Sequence, residues 1–125
     1  MLEMSVVNQD VANMPAGLGW HPFFPLSEST RLQTEWASLF EMDADCLPCD
    51  RLTVPPQLDF SVSKSLHGVQ VDHCFAGWSG SASITQDDHV VHLRATGTPA
   101  AVLFRPGQEA FFALEPVSHV NNALQ

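Results

Sequence analysis

Ser81-Ala82-Ser83-Ile84-Thr85-Gln86-Asp87-Asp88-His89-Val90-Val91-His92-Leu93-Arg94-Ala95 decides the fold class of this chain. In its second half Val91, Leu93 and Ala95 alternate with Val90, His92 and Arg94. Period 2 marks a strand with one buried face and one wet face. The polar break Gln86-Asp87-Asp88 joins Ser81–Thr85 to His89–Ala95, which reads as a hairpin. Further on, Arg105-Pro106-Gly107-Gln108 puts Pro and then Gly at the central turn positions, a type II signature. That turn is expected to link strands at Ala100–Phe104 and Ala110–Leu114, and Leu2–Val7 is a further strand candidate that opens the chain.

Elsewhere nine prolines and seven glycines leave few windows long enough for a helix. Only Glu35–Phe40 and Ser63–Leu66 have room for a helical turn. The expected class is therefore all-β, most simply a sandwich. A sandwich of so few strands carries unpaired edges, which proteins usually cover, so self-association into a homo-oligomer is a reasonable expectation.

The 125 residues fit one domain and supply 45% apolar against 15% charged side chains, enough for a core. Five basic and fourteen acidic side chains leave a net charge of -9. That charge repels phosphate backbones and anionic headgroups, so nucleic acid and membrane surfaces are poor partners. The longest apolar runs, such as Ala100 to Phe104, fall far short of the roughly 20 residues that a membrane helix needs. The opening MLEMSVVNQD shows no secretory pattern, and three cysteines, an odd number, argue against a disulfide framework. A cytoplasmic location follows as the expectation.

Three constellations carry chemistry. In Gly17-Leu18-Gly19-Trp20-His21-Pro22-Phe23-Phe24-Pro25, Pro22 holds His21 in extended backbone among aromatic neighbours. The imidazole there is either a proton-transfer group near neutrality or a packed turn residue satisfied by a carbonyl. In Phe111-Phe112-Ala113-Leu114-Glu115-Pro116, a carboxylate ends an apolar run. If buried, Glu115 is a stronger base, because desolvation raises its pKa; if not, it is an exposed glutamate at a strand exit. In Val71-Asp72-His73-Cys74-Phe75-Ala76-Gly77-Trp78, Asp72 near an aromatic face suits sugar hydroxyls, or else caps a turn. Cys46-Leu47-Pro48-Cys49 has half the ligands of a zinc site and sits in an acidic, proline-bearing loop, so no metal is expected. The acidic run Glu41-Met42-Asp43-Ala44-Asp45 is most simply solvated.

Taken in order, Asn8, Met14 to Phe24, Asp59-Phe60-Ser61, Val71 to Trp78, Leu114-Glu115-Pro116 and Asn121-Asn122-Ala123 resemble the aldose 1-epimerase (galactose mutarotase) family, closest to its bacterial members. The resemblance runs from about Leu2 to Ala123 and implies part of a galactose mutarotase-like β-supersandwich, specifically its later, C-terminal part. It implies interconversion of the α and β anomers of a free hexose, with no cofactor. It places His21 as the general acid at the ring oxygen, Glu115 as the general base at the C1 hydroxyl, and Asp72 as a sugar-binding acid. The family's earlier strands, its arginine and its additional histidine have no counterpart in these residues. The alternative expectation is accordingly a non-catalytic, sugar-binding remnant of that fold.

Overall fold

In the computed structural model, which describes residues 1–45 and 47–123, the hairpin of the deciding stretch forms as its pattern dictates. Ser81–Thr85 pairs antiparallel with Val90–Arg94, and the turn closes through Gln86 N–H donating to the His89 carbonyl at 2.9 Å. In chain order the strands are β1 Phe23–Pro25, β2 Arg31–Thr34, β3 Ser38–Met42, β4 Pro48–Leu52, β5 Lys64–Ser65, β6 Val71–Ala76, β7 Ser81–Thr85, β8 Val90–Arg94, β9 Ala100–Arg105 and β10 Phe111–Val117. A single 3-10 turn, Pro56–Leu58, is the one helical element among the described residues. They form two antiparallel sheets, ordered β1-β10-β9-β6-β3-β4 and β5-β2-β7-β8.

Each sheet buries one face against the other. From the large sheet Leu39, Val71, Phe75, Leu103, Phe112 and Leu114 point inward, and from the small sheet Leu32, Ala82 and Ile84 meet them. Trp36 stacks on Phe75 with ring centroids 3.8 Å apart and meets Phe60 edge-on. Alternation then sends Asp72, Cys74, Val102 and Glu115 to the outer face of the large sheet. That face carries the site.

Thr34 shows how a buried polar group is satisfied here, whereas His73 Nδ1, Thr98 Oγ1 and Arg105 Nε are buried without a hydrogen-bond partner among the described residues. Thr34 is buried; its hydroxyl accepts from the Trp78 indole N–H at 2.8 Å and donates to the Ser81 carbonyl at 2.8 Å. Thr34→Val keeps the shape but leaves the Trp78 N–H without a partner. The expected cost is about 1–3 kcal/mol. It is read as a lower urea midpoint at unchanged slope, and a midpoint equal to wild type refutes it.

Several sequence expectations need correction. Leu2–Val7 is not a strand: residues 1–17 are exposed and unpaired with either sheet, so period and apolarity there lack a partner strand. Glu35–Phe40 yields part of β3, and Ser63–Leu66 yields the short β5, where tertiary pairing overrides local preference. The β9–β10 hairpin forms, yet Gly107 does not take a positive φ, so its turn is not type II. The accessible surface of 7925 Å² exceeds the roughly 6600 Å² of a compact monomer of this mass, as the uncovered residues 1–17 require. No helix is long and apolar enough to cross a membrane among the described residues.

Candidate active site

β10 is the spine of the site. On one side β1 pairs with it, Phe23 opposite Ala113 and Phe24 opposite Phe112. On the other side lie β9 and then β6, with Glu115 opposite Val102 and Val102 opposite Cys74. One rung away, Phe23, Ala113, Phe104 and Asp72 form a parallel row on the same outer face. His21 precedes β1, and Pro22 keeps its backbone extended.

This register brings His21 and Glu115 together. The His21 Nε2 and Glu115 Oε1 atoms lie 2.9 Å apart. Their surroundings differ. The carboxylate side chain is only 13% exposed, whereas the imidazole is 53% exposed. Desolvation raises the Glu115 pKa above the ordinary carboxylate value; the nearby His21 pulls it down, and the negative charge of Asp72 pushes it up. The burial on which the reading of Glu115 depends is thus present, and its pKa is raised as burial requires. Asp72 is exposed, two strands over on β6, close enough for its charge to reach Glu115. Beneath them the buried Cys74 thiol is raised by desolvation, with the Asn121 backbone opposing that shift.

Other singled-out residues do different work. Trp78 is buried in the core and presents no ring to a ligand, so Asp72 has no tryptophan face beside it. The aromatic neighbours on this face include Phe23, whose ring lies 4.6 Å from that of His21 and meets Phe111 edge-on, and the partly exposed Phe104. Sequence periodicity names neither, since a row of cross-strand partners exists only once the register is known. Phe60 belongs to the core and Asp59 caps its own turn by accepting from Ser61 N–H, while Asn8 closes a local loop with Ala12. Cys46 lies outside the described residues. Cys49 is exposed and clusters with Glu41 and Asp50, on the sheet edge at β4 and away from the His21–Glu115 pair.

An imidazole and a desolvated carboxylate in contact, open to solvent on one side, define an acid/base site on a β-sandwich face. The family model for aldose 1-epimerase matches residues 1–123. The chain belongs to the aldose 1-epimerase family. It is 35% identical over 129 residues to the uncharacterized protein YphB of Escherichia coli K12, covering 93% of this chain and 44% of that one. It superposes with a TM-score of 0.79 and 32% identity on an Escherichia coli K12 protein provisionally called an aldose 1-epimerase, covering 87% of this chain and 41% of that one. A galactose mutarotase-like protein of Clostridium acetobutylicum shares the fold, at TM-score 0.73 and 14% identity, over 87% of this chain and 39% of that one. The chain therefore spans well under half the length of these relatives.

Proposed function

We propose that this chain carries the acid/base pair of a mutarotase and interconverts the α and β anomers of a free hexose in the cytoplasm. This reading takes residues 1–125 as the later part of the family's domain. The observation that supports it is the 2.9 Å approach of His21 Nε2 to Glu115 Oε1, with Glu115 desolvated. A nitrogen and an oxygen so close match the two oxygens that share C1 of a pyranose.

The Glu115 carboxylate takes the proton from the C1 hydroxyl while protonated His21 delivers one to the ring oxygen. The C1–O5 bond breaks and the open-chain aldehyde forms. Rotation about the C1–C2 bond presents the other carbonyl face; reclosure returns one proton from Glu115 to the carbonyl oxygen and the other from the C5 hydroxyl to His21. The pair ends as it began, and no electrons are gained or lost. Asp72 accepts hydrogen bonds from sugar hydroxyls further along the ring. Strand spacings put its Cα roughly 12 Å from that of Glu115, a gap that one hexose between two side chains fills. Phe104, opposite Asp72 in the register, and Phe23 supply apolar surface for the C–H face of the ring.

Polarimetry on freshly dissolved α-D-glucose or α-D-galactose tests the proposal: the chain speeds the approach to equilibrium, and a rate equal to buffer overturns it. Sugar-dependent NMR shifts without acceleration would instead assign the chain as a binding remnant. Asp72→Asn carries two expected results. Loss of the charged acceptor raises KM about tenfold, the difference between a charged and a neutral hydrogen bond. Removal of a negative neighbour also lowers the Glu115 pKa, so the acid limb of the pH–rate profile moves to lower pH. An unmoved limb refutes the second.

A further inference from the structure

His21 is held by its neighbours in sequence, and those neighbours have few anchors. Residues 1–17 are exposed and lie outside both sheets. On the other side of His21, the ladder between β1 and β10 stops at Phe23, and Pro22 has no N–H to extend it. The chain is docked again only at residues 18–20, all against the last residues of β10 and the two that follow. Trp20 N–H donates to the Pro116 carbonyl at 3.0 Å, and Gly19 bridges Val117. Leu18 is tied twice to one residue. Its N–H donates to the Ser118 hydroxyl at 2.8 Å, and its carbonyl accepts from Ser118 N–H at 2.8 Å. Ser118 Oγ also lies 3.1 Å from His119 Nδ1.

The glycines make this docking possible. A Cβ at position 19 would come within 2.9 Å of Val117 Cγ1, and one at position 17 within 2.1 Å of His119 Cε1. The close approach is thus built from both sides, glycine on one strand of chain and Val117, Ser118 and His119 on the other.

We propose that Ser118, backed by His119, is a positioning residue that docks residues 17–20 onto the end of β10 and so sets the contact between His21 and Glu115. Its oxygen accepts from Leu18 N–H while it shares a second hydrogen bond with His119 Nδ1, so one side chain closes the clamp. The docking itself stands on hydrogen bonds; its catalytic consequence rests on the mutarotase reading above. Misplacing an acid by a fraction of an ångström is enough to slow a proton transfer that needs two groups aimed at adjacent oxygens.

The test compares Ser118→Ala with Ser118→Thr, which keeps the hydroxyl. Ser83→Ala is the control: it removes a like hydroxyl–imidazole contact, with His92, on the other sheet. In Ser118→Ala the Leu18 amide proton exchanges at least tenfold faster. The Glu115 carboxyl, followed by carbon NMR, titrates at higher pH, because the imidazole that lowers its pKa has moved away while Asp72 and burial still raise it. kcat falls about 10- to 100-fold with little change in KM. Ser118→Thr restores all three, and Ser83→Ala leaves them as in wild type. A purely structural serine would lower the melting temperature without moving the carboxyl titration. Where alanine costs the fold, Ser118→Cys keeps the volume with a weaker acceptor and answers the same question. Wild-type Leu18 exchange and Glu115 titration in the variant overturn the proposal. Should wild type not accelerate mutarotation, the kinetic arm falls with the mutarotase reading, and the amide and carboxyl arms still decide the docking.

Discussion

Glu115→Gln is expected to remove the acceleration of mutarotation, by about 10²- to 10⁴-fold, while the chain stays folded. Glutamine fills the same volume and still hydrogen-bonds His21, yet it cannot take a proton from the C1 hydroxyl. The pH profile of wild type reports the same group. Glu115 works as a base only when ionised, and burial raises its pKa, so the rate falls on the acid side at a pH above the ordinary carboxylate range. Stability moves the opposite way. Since the folded-state pKa is raised, the fold favours the protonated acid. That contribution is complete below the unfolded pKa and is lost as pH rises through the raised folded value. At neutral pH the ionised carboxylate is therefore a cost that the His21 contact offsets in part. Glu115→Gln should melt no lower than wild type at pH 7 and lose its advantage in acid. A variant that unfolds, or one that keeps wild-type turnover, contradicts the role assigned to this residue.

Phe75→Ala is expected to carry the largest loss of stability, about 3–5 kcal/mol. Phe75 is fully buried near the end of β6, and its ring stacks on Trp36. Truncation removes that contact and opens a cavity between the two sheets, which strands paired on both sides cannot collapse to fill. A domain of this size has only about 5–15 kcal/mol in hand, so the urea midpoint should fall by a large fraction. Because Trp36 reports on the same contact, its fluorescence should change even in the folded variant. The site should suffer as well, since Asp72 and Phe75 share β6. A loss below about 1 kcal/mol would mean that the Trp36–Phe75 stack does not anchor the core.

How much of this was legible beforehand differs from one segment to the next. β7 was read to the residue, and β8, β9 and β10 to within a few, because alternation and turn residues are local properties. Leu2–Val7 misled because apolar composition marks a strand only where a neighbour offers its backbone. Glu35–Phe40 and Ser63–Leu66 have room for a helical turn, yet they give part of β3 and β5, because pairing with β6 and β2 outweighs the preferences of a few residues. At the site, the residue types of His21, Asp72 and Glu115 and their family order were readable. Phe104 and Ser118 were not, because nothing in their local pattern distinguishes them from ordinary strand and loop residues.

The all-β class, the two C-terminal hairpins and the chemistry available to His21, Asp72 and Glu115 were determined by the sequence alone, since period, turn residues and side-chain type are written in it. The tertiary structure alone decided that a histidine near one end of the chain touches a glutamate near the other, and that burial makes that glutamate a stronger base. Both depend on strands far apart in sequence lying side by side: β1 on β10 brings the imidazole to the carboxylate, and β9 between β10 and β6 sets the distance to Asp72. Antiparallel pairing across the whole chain is a long-range property, and a pKa follows from the neighbours it gathers.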